Sequence, residues 1–382
     1  MAETTLALAA AEARPVDVVI VGAGAMGQAW MRTVLASPHA RLVGVADMVE
    51  GLAESAVGAV LEAADGRNRV RMGTDGVELA RSTGAEAIID VTIPAAHFAV
   101  TSAALSAGLP VLGEKPCAGT LAEAISLAGC SEATGELFMV SQSRRYNPHL
   151  REARRLADSL GGAGIVDTRF YRAPRFGGFR EEMHHPLLVD MAIHAFDAGR
   201  TLLPGIPSQV RAISSNPSWS WYAGDAAATV HVSYDSGAVH TFSGSWCAPG
   251  QETSWNGDWS LSCPHGSVQW DGERSPTACM ADGVRLDGRA PADDERWELA
   301  GALAEFCAAL RGGPVPEGEV HQNIWTQAIV DASVRSAETD RSVEVAALLE
   351  EARAEALDLP APPGVREALL SWGSALSGLR TG

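Results

Sequence analysis

The residues of this sequence best suited to chemistry begin with a glycine string. Gly22-Ala23-Gly24-Ala25-Met26-Gly27 follows the apolar run VDVVIV and precedes a segment of helical periodicity. In such a turn the first glycine permits the tight bend. The second lets the backbone approach a pyrophosphate, and the third lets the next helix pack on the strand. The helix that starts near Ala25 points its positive end at the phosphates, so Gly22, Gly24, Ala25, Met26 and Gly27 together read as a phosphate cradle. Asp47 stands twenty residues beyond Gly27, at the end of a second apolar run, RLVGVAD. A carboxylate there binds the hydroxyls of an adenosine ribose and repels a 2′-phosphate, and Met48-Val49 offers no Arg or Ser to welcome one. The spacing favours NAD over NADP. A glycine string alone is often a purely structural turn, and a turn aspartate is often only solvated. The strand before and the helix after are what give this one weight.

Two further groups suit proton and charge chemistry. Glu114-Lys115-Pro116 closes the apolar run LPVLGE, and Asp190-Met-Ala-Ile-His194 lies within a helical pattern. Oxidising an alcohol removes a hydride from carbon and a proton from oxygen, so a positioned base is needed near neutral pH, and histidine is the natural one. The i,i+4 spacing puts Asp190 and His194 on one helical face, where the carboxylate orients the ring or raises its basicity. Lys115, at the carboxyl end of a strand, is placed to stabilise a developing alkoxide. Glu114 positions the lysine and Pro116 fixes the turn. Taken singly, such a lysine is usually solvated and such a pair is usually a surface contact.

The glycine string, Glu-Lys-Pro and Asp-x-x-x-His, in that order, resemble the glucose–fructose oxidoreductase / inositol dehydrogenase (Gfo/Idh/MocA) family from about Val16 to Leu349. The resemblance implies that Lys115 and His194 meet at a nicotinamide with Asp190 beside them. It implies that Ile93, Pro94 and His97, after the fourth strand, line the cofactor crevice, although His97 also reads as a helix-start histidine with no ligand. Gln142 faces the same cleft, and Arg145 beyond it either binds substrate or, with Arg144, caps the junction. It further implies homo-oligomers, dimers or tetramers, formed through an open sheet. One departure bears on substrate. Where the family often carries glycines, this chain has Met183-His184-His185-Pro186. His184 and His185 either contact the substrate or pack at the loop. A metal held by His184, His185, Asp190 and His194 is conceivable, but hydride transfer needs none and no metal is expected.

The elements that must position these residues fall into two textures. From Val16 to about Gln142, short Val/Ile/Leu runs alternate with helices near Met26–Ala36, Gly51–Ala64, Ala95–Ala107 and Thr120–Ala133, the pattern of a parallel sheet covered on both faces. After Tyr146 a helix begins at Asn147-Pro148, and another covers Leu187–Leu203. Alternating β segments then run from about Gln209 to Trp270, with Asp235-Ser236-Gly237 as a hairpin turn. Helices resume at Asp294–Leu310 and His321–Glu338. The expected fold is α/β: residues 1–14 a tail, 15–145 a Rossmann dinucleotide-binding domain, 146–352 an α+β substrate and oligomerisation domain with an open, mostly antiparallel sheet, and 353–382 a surface-wrapping tail. Six of the ten tryptophans lie between Trp219 and Trp270. Trp219, Trp221 and Tyr222 either roof a sugar site or belong to the core or a subunit contact.

A formal net charge of −18 argues against nucleic acid and anionic membrane partners. Six scattered cysteines with no C-x-x-C pair suit a reducing cytoplasm, and the N-terminal Ala-rich run lacks the basic start of a signal peptide. The expected function is NAD-dependent hydride transfer to or from a hydroxyl-bearing carbon of a polyhydroxylated small molecule, a sugar or cyclitol. Two alternatives are an NAD-bound glycoside hydrolase working by transient oxidation and a non-catalytic NAD- or sugar-binding regulator.

Overall fold

The computed structural model describes residues 14–63, 70–292 and 297–381. The chain packs as two compact units: residues through Ser143 with Glu298–Ile324 and Ala352 onward, and Arg144–Trp297 with Trp325–Glu351.

In the first unit, β1 (Val16–Val21) is buried at all six positions, as a strand covered on both faces must be. Five partners complete a sheet in the order β3-β2-β1-β4-β5-β6: β2 (Ala40–Ala46), β3 (Arg71–Gly73), β4 (Ala87–Asp90), β5 (Val111–Glu114) and β6 (Phe138–Ser141). Every pairing in it is parallel. This order reverses direction between β1 and β4, and ligands of open α/β sheets bind outside the carboxyl ends of the strands at that reversal. The helices are α1 (Ala25–Ala36), α2 (Leu52–Ala63), α3 (Gly76–Thr83), α4 (Pro94–Ser106) and α5 (Leu121–Thr134). Their starts follow local chemistry. Asp75 caps α3, Pro94 opens α4, and Thr120 with Glu123 forms a reciprocal capping box on α5. The expected helices match within a residue or two, and Ala64 lies outside the described residues. The short exposed β3 and α3 carry too few Val or Ile residues to stand out in the sequence.

The second unit opens with α6 (Pro148–Ser159), capped by the Asn147 side chain, and β7 (Ile165–Tyr171). A four-residue turn, α7 (Phe179–Glu182), precedes a π-helical stretch at Leu187–Ala192 that runs into α8 (Ile193–Leu202). The sheet continues through β8 (Pro207–Ser215), β9 (Ala227–Tyr234), β10 (Val239–Ser245), β11 (Asp258–Cys263), β12 (Gly266–Trp270), β13 (Thr277–Met280) and β14 (Arg285–Asp287). The hairpin expected at Asp235-Ser236-Gly237 joins β9 to β10, with Gly237 at φ 85°. Only β7 and β10 pair in parallel; the other pairings are antiparallel. Alternate residues turn inward, and Phe170, Phe196, Phe242 and Trp246 form the core against α8. Trp259 and Trp270 are also buried.

A buried ion pair fastens α8. Arg145 donates to Asp197 through Nε (3.0 Å) and Nη2 (2.5 Å), and Thr326 donates to the same carboxylate at 3.0 Å. Arg200 donates to Thr326 at 3.0 Å, and its burial brings the guanidinium down to about 10, still charged at neutral pH.

The remaining chain departs from the linear division expected. Helix α9 (Glu298–Leu310) and the start of α10 (Val320–Thr339) pack with the first unit, and the expected start at Asp294 lies outside the described residues. Strand β15 (Val343–Glu344) pairs with the edge of β8, and α11 (Val345–Ala356) follows. The segment read as a tail forms α12 (Val365–Ser371) and α13 (Ala375–Thr381), burying Val365, Leu369, Ala375 and Leu379. Its approach to α5 is close: a Cβ on Gly129 would lie 2.9 Å from Leu369 Cγ. Residues 1–13 of the N-terminal tail lie outside the described residues.

His321 ties the ends of the first unit together. Its Nδ1 lies 2.7 Å from Glu319 and its Nε2 2.9 Å from Glu132, which also accepts from Trp372 Nε1 at 2.9 Å. Burial opposes charge on this ring, but bonds to Glu132 and Glu319 outweigh it and bring the imidazole from 6.5 up to about 9. A folded-state value raised in this way stabilises fully below the unfolded value and is lost as pH rises through the folded one. The melting temperature of the native chain is expected to fall between about pH 7 and pH 9.5 by this linkage. His321→Gln should melt lower at pH 7 and show a flatter profile across that window. Parallel profiles for the two proteins in a scanning calorimeter would refute the assignment.

Candidate functional site

Each unit carries part of the candidate machinery. In the first, the glycine turn is built as its spacing requires. Gly22 has φ +104°, and a Cβ there would sit 2.5 Å from the Val91 carbonyl oxygen. A Cβ on Gly27 would sit 2.0 Å from the Gly22 oxygen, so both positions are closed to any side chain. Around Gly24 nothing lies within 4 Å, leaving its face open at the N-terminus of α1. Ala25 and Met26 form the first turn, and Met26 is 45% exposed. Asp47 follows β2, and its Oδ2 accepts from the Ala23 amide at 2.8 Å while Oδ1 accepts from Val49 N at 2.9 Å. The Ala23 amide is thus a functional group that glycine spacing does not announce: it fixes the acidic residue to the loop. Gln142, at the end of β6, is buried, and neither atom of its amide has a partner among the described residues. Buried amides are rarely left unpaired, so this one suits a bound polar group. A dinucleotide fits these residues: closed glycines, an open helix end, an oriented carboxylate and an unmet amide.

The other first-unit residues gather at the carboxyl ends of β4 and β5. Ile93 is 65% exposed at the N-cap of α4, and Pro94 opens that helix. Lys115 is half-buried, and a cis peptide joins it to Pro116. Glu114 accepts from Trp30 Nε1 at 2.8 Å and from the Lys115 amide at 3.2 Å. Burial pushes its carboxyl above the usual range, against the pull of Trp30 and Lys115. His97, expected to touch the dinucleotide, is buried at 2% exposure with both ring nitrogens on main-chain carbonyls.

In the second unit, Asp190 lies within the π-helical stretch and His194 in the first turn of α8. The uniform α-helix assumed for their i,i+4 spacing begins only at Ile193. Such π insertions recur at functional sites. Asp190 Oδ2 accepts from Arg180 Nε at 2.6 Å, a partner ten residues away that no periodicity reveals. His194 lines a small pocket with Arg144, Thr168, Met191, Asn256 and Trp270.

The four residues read as substrate contacts separate. Arg145 is buried against Asp197, held by two hydrogen bonds and a buried carboxylate. His185 is 9% exposed, 3.4 Å from Ser214 and 3.6 Å from Glu338, so it packs at the loop. His184 is exposed, and its carbonyl accepts from Asp225 N at 2.7 Å. Trp219 is 62% exposed, with Nε1 donating to the Cys247 carbonyl at 2.8 Å. Trp221 carries the Arg175 guanidinium 3.9 Å above its ring, whereas Tyr222 stacks on Trp246 inside the core. Among the described residues no helix is long and apolar enough to cross a membrane.

Comparison with known proteins agrees with this geometry. Residues 16–142 match the model of the oxidoreductase family with an NAD-binding Rossmann fold, and residues 150–269 match that of the GFO/IDH/MocA C-terminal domain. Inositol 2-dehydrogenase 1 of Saccharopolyspora erythraea is 31% identical over 49% of this chain and 54% of its own. The scyllo-inositol 2-dehydrogenase (NAD(+)) of Bacillus subtilis is 26% identical over 60% of this chain and 67% of its own. An oxidoreductase from Agrobacterium radiobacter, solved with NAD+, L-tartaric acid and magnesium, superposes with a TM-score of 0.77 at 17% identity, covering 87% of this chain and 99% of that one. With both domains matched, in order and over the segments that hold the glycine turn, Lys115 and the Asp190–His194 helix, the chain belongs to the Gfo/Idh/MocA family of oxidoreductases, dehydrogenases acting on CH–OH groups.

Proposed function

We propose that this chain is an NAD-dependent dehydrogenase of a polyhydroxylated small molecule, a sugar, sugar derivative or cyclitol, with Lys115, Asp190 and His194 as its catalytic group. One observation carries the assignment of Lys115. Of 29 lysine and arginine residues, it is the sole lysine in the chain. Everywhere else this protein meets its need for positive charge with a guanidinium. At the end of β5 it keeps a compact ammonium, which is a point charge with rotatable donors and a titratable nitrogen, properties arginine lacks.

The residues that would hold the cofactor are the glycine turn with Ala25 and Met26, Asp47, Ile93, Pro94, Glu114, Lys115 and Gln142. When bound, NAD supplies the nicotinamide that accepts or returns the hydride. The protein's own contribution is charge and proton control. The His194 ring nitrogen takes the hydroxyl proton of the substrate, and the Lys115 ammonium steadies the alkoxide as negative charge develops. Asp190 accepts from Arg180, which fixes the carboxylate in one orientation next to the helix turn that carries His194. Preference for NAD rests on Asp47, whose carboxylate is fixed by two amides and followed by Met48 and Val49. Substrate preference for a hydroxylated ring is supported by what the curated relatives are named for, inositol and scyllo-inositol dehydrogenases.

Three measurements test this reading. Absorbance at 340 nm with NAD and a panel of cyclitols, aldoses and anhydrosugars should reveal turnover. On the best of them, Lys115→Arg and His194→Ala should each lower kcat by roughly 10²–10⁴-fold with NAD binding retained. Full activity in Lys115→Arg would show that charge alone is needed and remove the case for the ammonium. Asp47→Ser should lower kcat/KM for NAD by roughly tenfold or more and raise it for NADP. An unchanged NAD:NADP ratio would place cofactor choice elsewhere. The resemblance also supports a dimer or tetramer formed through the open nine-stranded sheet; a monomer mass by light scattering at micromolar concentration would rule this out.

A further inference from the structure

His97 does not face solvent or an open cradle. It sits in the first turn of α4 at 2% exposure, and its ring spans two loops. Nδ1 lies 2.8 Å from the Pro116 carbonyl oxygen and Nε2 lies 3.0 Å from that of Thr92. These carbonyls belong to the turns that leave β5 and β4, two neighbouring strands of the parallel sheet. Each turn is held on its far side as well. Thr92 donates through its amide (3.1 Å) and its hydroxyl (2.6 Å) to Asp90 Oδ1, and Asp90 Oδ2 accepts from Thr101 at 2.9 Å. Asp90 is wholly buried. On the other turn, Glu114 takes the Lys115 amide and is itself gripped by Trp30 of α1. Lys115 therefore has a fixed point on each side: Glu114 on its own amide, and His97 on the carbonyl of the next residue.

We propose that His97 is a positioning residue for Lys115. Its ring clamps the turn after β5 to the turn after β4 and so sets where the sole ε-ammonium of the chain is presented. Ordinary side-chain amides cannot replace it. A carbonyl oxygen only accepts, so the ring bonds both carbonyls when each of its nitrogens carries a hydrogen, as an imidazolium; asparagine and glutamine carry both donors on one nitrogen and cannot reach two diverging carbonyls. Losing one bond frees the Pro116 carbonyl or the Thr92 carbonyl, and a freed carbonyl lets its turn rearrange. The inference rests on the reading of Lys115 as catalytic only for its consequence in turnover; the positional claim stands by itself.

The single lysine makes the claim directly measurable. Reductive methylation of the full chain with 13C-formaldehyde labels one ε-amine and the N-terminal α-amine, which are told apart by their titration ranges. In His97→Gln and His97→Phe the methyl resonance of Lys115 should move toward that of a solvent-exposed lysine. In unmodified protein kcat should fall about 10- to 100-fold, within the range typical for displaced catalytic groups. His97→Gln should retain more turnover than His97→Phe, because it keeps one of the two bonds. Should the phenylalanine variant not fold, the glutamine variant alone decides. A Lys115 resonance that superimposes on that of the native protein overturns the proposal, whatever the activity. A displaced resonance with native turnover instead keeps the positioning role and removes Lys115 from the chemistry, an outcome that Lys115→Arg would reproduce.

Discussion

A methyl group on Gly27 would lie 2.0 Å from the carbonyl oxygen of Gly22, and one on Gly22 would lie 2.5 Å from that of Val91. The contact of bare backbone with bare backbone at this point sets the distance of α1 from β1 and of β1 from the turn after β4. Much of the rest follows from it. With α1 this close, Trp30 is wholly buried and its indole N–H reaches Glu114, whose carboxylate takes the Lys115 amide. With the turn this tight, the Ala23 amide faces Asp47 and turns the carboxylate onto the loop. A side chain at either glycine would therefore displace the glycine turn, Asp47 and the lysine turn together.

The charge economy of the chain is organised around the same separation of roles. The chain carries a net charge of −18, and two buried clusters in it hold opposite charges together. Asp197 lies between Arg145 and the Thr326–Arg200 bridge in the second unit, and Glu132 and Glu319 flank His321 in the first. Removing one partner of such a group leaves a charge without compensation in low dielectric, which costs more than the pair gains. These clusters fasten helices and the C-terminal segment. The residues proposed for chemistry lie near openings instead: Lys115 half-buried, His194 beside a small pocket, Asp190 held by a partly exposed Arg180.

How legible this was in the sequence depends on the range of the interaction concerned. The parallel sheet, its helices and the glycine turn were readable because strand burial, helix caps and close backbone approach each leave a mark within a few residues. The candidate residues Lys115, Asp190 and His194 were readable as types at strand and helix positions. Their holders were not. Trp30 reaches Glu114 across 84 residues, His97 reaches Pro116 across 19, and Arg180 reaches Asp190 across 10, and none of these separations has a period. For the same reason Arg145 looked like a ligand for a substrate: Asp197, its partner 52 residues away, is invisible until α8 is placed. The Leu187–Leu203 helix was found, but its π-helical opening was not, because apolar periodicity does not resolve one extra residue per turn.

His97 shows why a residue can be correctly singled out for the wrong job. Its position in the first turn of a helix, beside exposed Ile93 and after the β4 turn, is where a dinucleotide contact is expected. Yet a ring whose two nitrogens both lie on main-chain carbonyls has none left to offer a ligand. The two uses are exclusive, since each imidazole nitrogen makes one directional bond in the plane of the ring. The proposed site thus needs two populations of polar residues at the carboxyl ends of its strands: some left open, as the Gln142 amide is, and some spent on main-chain groups, as His97 is. The second population fixes the position of the first, because a loop free to drift by an ångström would carry a group out of reach of whatever it must contact.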